Sequence, residues 1–202
     1  MSLIVDTLVE GLLDEAVARR IIEHCGHKPG NGYGKNGVDY LRLKAPGFNV
    51  RAAYGNPILV LVDFMDTKLG CPPAVPVAWL PTRSERLLLR VVVPEIESWL
   101  LADCDGMAAF LSVSPALIPT SPETLTNPKQ TLVNLARRSR RRNVKAAMVP
   151  TEGVSAVVGP EYVAALQEFV ISLWDASAAG LHSRSLDRTL LRLRSLPFLV
   201  VS

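Results

Sequence analysis

The stretch Ile58-Leu59-Val60-Leu61-Val62-Asp63-Phe64-Met65-Asp66 constrains this chain more than any other. It opens with five consecutive aliphatic residues, of which Ile58, Val60 and Val62 are β-branched. Such a run suits a strand buried on both faces, as inside a parallel sheet covered by helices. The prediction is a central strand. Its carboxyl end carries Asp63 and Asp66, and open α/β sheets bind ligands outside the carboxyl ends of their strands. Asp63 therefore either belongs to a site or only turns the chain as it leaves the sheet.

Two further segments extend this pattern. Leu3 to Val9 predicts a first strand ending in Glu10-Gly11. In the following segment Leu12, Leu13, Ala16, Val17, Ile21 and Ile22 recur at helical spacing, with Asp14 and Glu15 in the first turn and Gly26 as the stop. Leu87 to Val93 predicts another strand, broken only by Arg90, which runs into a helix from Pro94 to Asp103 with proline in its first turn. On that helix Glu97 falls between Leu100 and Leu101, and Glu95 beside Trp99 and Ala102. Nearly every side is apolar. A carboxylate there must be paired, protonated or metal-bound, because burying a bare charge is too costly. A salt bridge to an arginine and a metal site both satisfy this.

The glycine-rich stretch from Gly26 to Gly37 contains G-x-G-x-x-G at Gly32 to Gly37. The dinucleotide fingerprint must follow a strand, and this one follows a helix. It reads as a flexible connection, with Lys35 as a candidate phosphate contact. His24, Cys25 and His27 lack a second ligand pair at zinc spacing and read as helix-end residues. Val38 to Ala53 predicts a short strand or helix turn followed by a helix. Beyond Asp103 come a short helix from Gly106 to Val113, a loop-rich link from Pro115 to Pro128 and a helix from Lys129 to Ser139. Tyr162 to Trp174 predicts another helix. Ser185 predicts the cap of a last one, in which Leu186, Leu190 and Leu193 share a face. Phe198 to Val201 reads as an edge strand or ordered tail.

With 202 residues, 49% of them hydrophobic and 20% charged, the chain can bury a proper core and is not disordered as a whole. The expected organisation is α/β, with a core over 1–112 and a helical C-terminal extension over 113–202 packed on it. Cys25, Cys71 and Cys104 are too few and too scattered for a disulfide framework. The N-terminus lacks a basic region before its apolar residues, and no apolar run nears the roughly 20 residues needed to cross a bilayer. A cytoplasmic protein without membrane contact is expected.

Net charge is only +3, but six basic residues crowd between positions 137 and 145: Arg137, Arg138, Arg140, Arg141, Arg142 and Lys145. Arginine offers forked donors to phosphate, so the run predicts contact with a nucleic-acid backbone. No aromatics interleave with it, so base stacking is not indicated. The other reading is a solvated helix end.

Strand-Glu-Gly-helix, an acid-ended central strand, and a strand followed by a Glu-rich helix together resemble the Toprim-like fold. The chain resembles the uncharacterised Toprim-like proteins of prokaryotes, relatives of the nuclease domains in OLD-type and abortive-infection systems. The matching pieces are Val9-Glu10-Gly11, Ile58 to Asp66 with Cys71-Pro72-Pro73, Pro94 to Asp103, and Asn127-Pro128-Lys129 through Arg142. The resemblance implies a mostly parallel sheet flanked by helices, a site for Mg²⁺ or Mn²⁺, and nuclease or related phosphoryl-transfer activity on nucleic acid, and it is compatible with a role in phage defence. It gives Glu10 and Asp63 catalytic and metal-binding roles and makes Asp66, Glu95 and Glu97 further candidate ligands. The second aspartate of the family's D-x-D pair falls on Met65, a thioether, and Asp66 stands one residue later. Asp66 can join Asp63 only if the chain turns after Phe64. A catalytically weakened nucleic-acid-binding or regulatory module is the alternative expectation. A partner protein or a second copy of the chain is compatible with either.

Overall fold

The computed structural model describes residues 2–197. They divide into two compact units, 2–93 with 185–197 and 94–184. Ser112, where composition placed the boundary, is the left-handed cap that closes a helix inside the second unit.

The first unit alternates strand and helix: β1 (Ile4–Val9), α1 (Leu12–His24), β2 (Lys28–Gly34), α2 (Gly37–Tyr54), β3 (Ile58–Asp63), α3 (Ala74–Trp79) and β4 (Leu87–Val92). The strands form one sheet in the order β2-β1-β3-β4, and every pairing is parallel. The α/β class and the central place of Ile58 to Asp63 follow the sequence prediction. All five aliphatic residues of β3 are fully buried. In α1 the buried apolar residues are Leu13, Val17, Ala18, Ile21 and Ile22, whereas Leu12 is exposed.

The glycine-rich stretch is a strand and not a flexible connection. It was illegible because an edge strand with one neighbour needs no apolar alternation. Its glycines permit close approach. A Cβ on Gly34, which has φ +96°, would stand 2.2 Å from the carbonyl oxygen of Val9, and one on Gly32 would meet the Glu15 carboxylate at 2.0 Å. Buried Asp6 reinforces the pairing, accepting the Asn31 N–H at 2.9 Å and meeting Arg51 at 3.2 Å. Val38 to Ala53 is likewise a single helix, α2, which continues through Pro46.

The second unit is helical: α4 (Ile96–Ala102), α5 (Cys104–Leu111), α6 (Pro128–Arg137), α7 (Arg142–Met148), α8 (Tyr162–Ser172) and α9 (Ala176–His182). All seven residues of α4 are buried, so its surroundings supply the helix with a core on every side. Pro94 lies before this helix, whose cap position is Glu95. Trp174 donates its indole N–H to the Trp99 carbonyl at 3.2 Å, and Phe110 and Phe169 stack 5.1 Å apart. Asp103 caps α5 through the Gly106 N–H, 3.0 Å, and also accepts the Asp175 N–H, 2.9 Å.

The chain then returns to the first unit as α10 (Arg184–Arg194). Leu186, Leu190 and Leu193 are buried on one face, as their spacing predicts. Ser185 lies within the helix rather than at its cap, because the helix starts one residue earlier. The tail from Phe198 to Val201 lies outside the described residues.

Candidate functional site

In the first unit, β1 and β3 are parallel neighbours with Leu8 opposite Val60, so both deliver their ends to the same edge of the sheet. Glu10 lies two residues past Leu8 and Asp63 three past Val60. The Glu10 carboxylate accepts the Asp63 backbone N–H at 2.9 Å, while the Glu10 carbonyl accepts the Gly37 N–H at 3.3 Å. Glu10 and Asp63 thus meet as the sequence predicts.

Burial raises the pKa of Glu10 to about 7; the Asp63 N–H opposes this, and the charges of Asp14 and Asp66 add to it. A carboxyl group poised near neutrality can take up or release a proton at little cost, which general acid–base chemistry requires. Asp14 is itself buried in the first turn of α1, where the helix dipole favours an acid. The chain turns directly after β3 through a 3₁₀ helix, Phe64–Thr67, closed by Lys68 at φ 57°. This is the turn that Asp66 requires. Asp66 is exposed, and its charge reaches Glu10; Met65 is exposed as well.

In the second unit, Glu95 and Glu97 are both buried, and both face Lys129. The lysine ammonium stands 3.5 Å from Glu95 and 3.6 Å from Glu97, and its backbone N–H donates to Glu95 at 2.7 Å. Local sequence explains the arrangement. Asn127 caps α6 by accepting the Gln130 N–H at 2.8 Å, Pro128 fills the first helical position, and Lys129 follows with its N–H unsatisfied within the helix. The cation that pairs with these acids is therefore a lysine, not the arginine that sequence alone suggested.

Tyr162 donates its hydroxyl to the same Glu97 oxygen at 3.2 Å. The other Glu97 oxygen, Oε2, is buried with no hydrogen-bond partner among the described residues. Burial pushes Glu97 up to about 7 against the pull of Lys129, with Glu95 pushing the same way. Burial and the Glu97 charge raise the Tyr162 phenol and keep it protonated. Lys129 and Tyr162 were missed as site residues; the Asn-Pro-Lys helix start was the one available signal.

Asp63, Glu95 and Glu97 are carboxylates of the kind that could hold a metal ion. Hard divalent cations take such oxygen donors, and the Glu97 oxygen without a hydrogen-bond partner is open to one, whereas the Lys129 ammonium is a competing charge that such an ion would have to displace.

In the arginine run, Arg137, Arg138, Arg140, Arg142 and Lys145 are exposed. Arg141 differs: its guanidinium donates to the Phe110 carbonyl at 3.2 Å and lies 5.7 Å from the Phe110 ring centre, while its N–H donates to Ser139. Lys35 pairs with Glu15 at 2.8 Å. His27 bonds the Leu3 N–H and the Leu193 carbonyl. Among the described residues, no helix is long and apolar enough to cross a membrane.

No protein-family model, curated protein or solved structure matches the chain.

Proposed function

We propose that this protein is a Toprim-like, divalent-metal-dependent nuclease or related phosphoryl-transfer enzyme acting on nucleic acid. The supporting observation is the meeting of Glu10 and Asp63 at the carboxyl edge of an all-parallel sheet, with Glu10 poised near neutrality. Mg²⁺ or Mn²⁺ suits the carboxylate donors, with Glu10, Asp63 and Asp66 as candidate ligands in the first unit and Glu95 and Glu97 in the second. Bound there, a divalent cation would supply a charge that polarises a phosphate and lowers the pKa of water.

The chain's own groups carry the rest. Glu10, at a pKa of about 7, exchanges a proton with water or a leaving oxygen. The Asp63 N–H fixes the orientation of the Glu10 carboxylate. The exposed arginines offer donors to the phosphate backbone. A second reading rests on one observation: where the resemblance requires an aspartate, exposed Met65 offers only a thioether. That favours a binding or regulatory module without turnover, with phage defence a setting common to both readings.

Mn²⁺ titration with single- and double-stranded DNA and RNA cleavage separates them. Wild type should bind Mn²⁺ and cleave, and Glu10→Ala and Asp63→Ala should each lose both properties while remaining folded. Binding without cleavage on any of these substrates selects the second reading. Unaltered Mn²⁺ binding by both variants rejects the metal site.

A further inference from the structure

A second concentration of positive charge lies in the first unit, among residues scattered through the sequence. Arg83, Arg90 and Arg192 line a cavity of about 330 Å³ together with Ser84, Glu85 and three leucines of β4. Arg188, on α10, adds a fourth charge close enough to act on Arg90. Arg90 is half-buried and donates to the buried Thr189 hydroxyl at 3.2 Å. Arg192 donates to the Glu85 carbonyl at 3.4 Å and contacts the Ser195 hydroxyl at 3.5 Å. Glu85 is the one acid of the lining. Among the described residues, none of these four arginines forms an ion pair with a carboxylate.

Such a group costs the fold mutual repulsion as well as the partial burial of Arg90. Burial depresses the Arg90 pKa, and Arg188, Arg192 and Arg83 depress it further. Arginine stays protonated nonetheless, so the repulsion is relieved by an anion and not by loss of a proton. All three neighbours act on Arg90, which centres the charges on one point. Among the described residues, β4 is also an edge strand, with a flank of backbone groups that no neighbouring strand uses. The lining, among the described residues, contains no aromatic side chain on which a base could stack.

We propose that this cavity binds a small phosphate-bearing anion, held by the forked donors of Arg83, Arg90 and Arg192. The ligand is a free diphosphate or the terminal diphosphate of a nucleotide, two sources of one chemistry. The inference does not depend on the metal site.

Calorimetric titration of the full chain at fixed ionic strength tests it, with pyrophosphate and ADP as probes. Pyrophosphate should bind one to one in wild type. Arg83→Gln and Arg192→Gln, both at exposed positions, should each weaken binding by roughly tenfold or more, the loss of one charge-assisted hydrogen bond. Thermal melts establish that these variants are folded. Arg42→Gln, at an exposed position on α2, should leave pyrophosphate binding unchanged. Tighter binding of ADP assigns a nucleotide source, and tighter binding of pyrophosphate a free one; either outcome supports the site. Equal pyrophosphate affinity in wild type and an Arg83→Gln/Arg192→Gln double variant would overturn it. So would equally tight competition by an oligonucleotide lacking terminal phosphates, because that would reveal a backbone track.

Discussion

Glu10 is caught between burial and charge. Its folded pKa, about 7, lies above the ordinary 4.5, so the folded state prefers the protonated form. The stability this contributes is fully present below about pH 4.5 and is lost as pH rises through about 7. Without divalent metal, the melting temperature of Glu10→Gln should therefore fall less than that of wild type between pH 5 and pH 8. Parallel curves in EDTA would show that Glu10 is not strained by burial. Met65 and Asp66 give a second residue-scale prediction. The turn after Asp63 brings the Asp66 charge within reach of Glu10, so Asp66→Ala should weaken Mn²⁺ binding. Met65→Asp should strengthen it, by replacing an exposed thioether with a hard oxygen donor. If neither variant alters Mn²⁺ affinity, the turn contributes nothing to the site.

At the scale of elements, legibility followed burial. β3 was read correctly because a strand covered on both faces must be apolar throughout, and α10 because its three leucines repeat at helical spacing. β2 was not, since Lys28 to Gly34 is held by glycine-permitted approach and by a buried aspartate 22 residues before Lys28. The same logic divides the site. Glu10 and Asp63 were visible because each ends an apolar strand. The partners of Glu95 and Glu97 were not, because Lys129 and Tyr162 arrive from other helices. The start of α6 is thus a device for placing one ammonium against two buried carboxylates. Lys129→Met should raise the Glu97 pKa further, since the lysine is the main influence holding it down. The sign follows from linkage: a higher folded pKa means more stability lost as pH climbs. Near pH 5, where Glu97 is largely protonated, the variant should lose only the pairing of Lys129 with Glu95. At pH 8 it should be destabilised by about 1–3 kcal/mol, below the full cost of breaking a buried pair because the lysine is 41% exposed. Equal destabilisation at both pH values in denaturant titrations would mean that Lys129 acts through Glu95 or packing and not through the charge of Glu97.

At the scale of the whole molecule, the net charge of +3 conceals two separate basic groups with different geometry. Arg83, Arg90 and Arg192 converge on a cavity, whereas the run from Arg137 is spread over the end of α6 and the start of α7. A concave group suits one small anion, and an exposed run suits a repeating one. Arg141 must be set apart from the run because its guanidinium is engaged with Phe110. Neutralising it would disturb local packing, so the run is tested with exposed residues alone. The triple variant Arg137→Gln, Arg138→Gln, Arg142→Gln should keep the wild-type melting temperature. It should also flatten the dependence of nucleic-acid affinity on salt, lowering the log–log slope by about 2 to 3, since each phosphate contact contributes roughly 0.7–0.9. Because the effect comes from released counterions, it should appear alike on every sequence tested. A slope that stays at the wild-type value would make the run a solvated helix end. The proposed nucleic-acid substrate would then need another basic surface, and Arg90 with the arginines around it would be the next to neutralise.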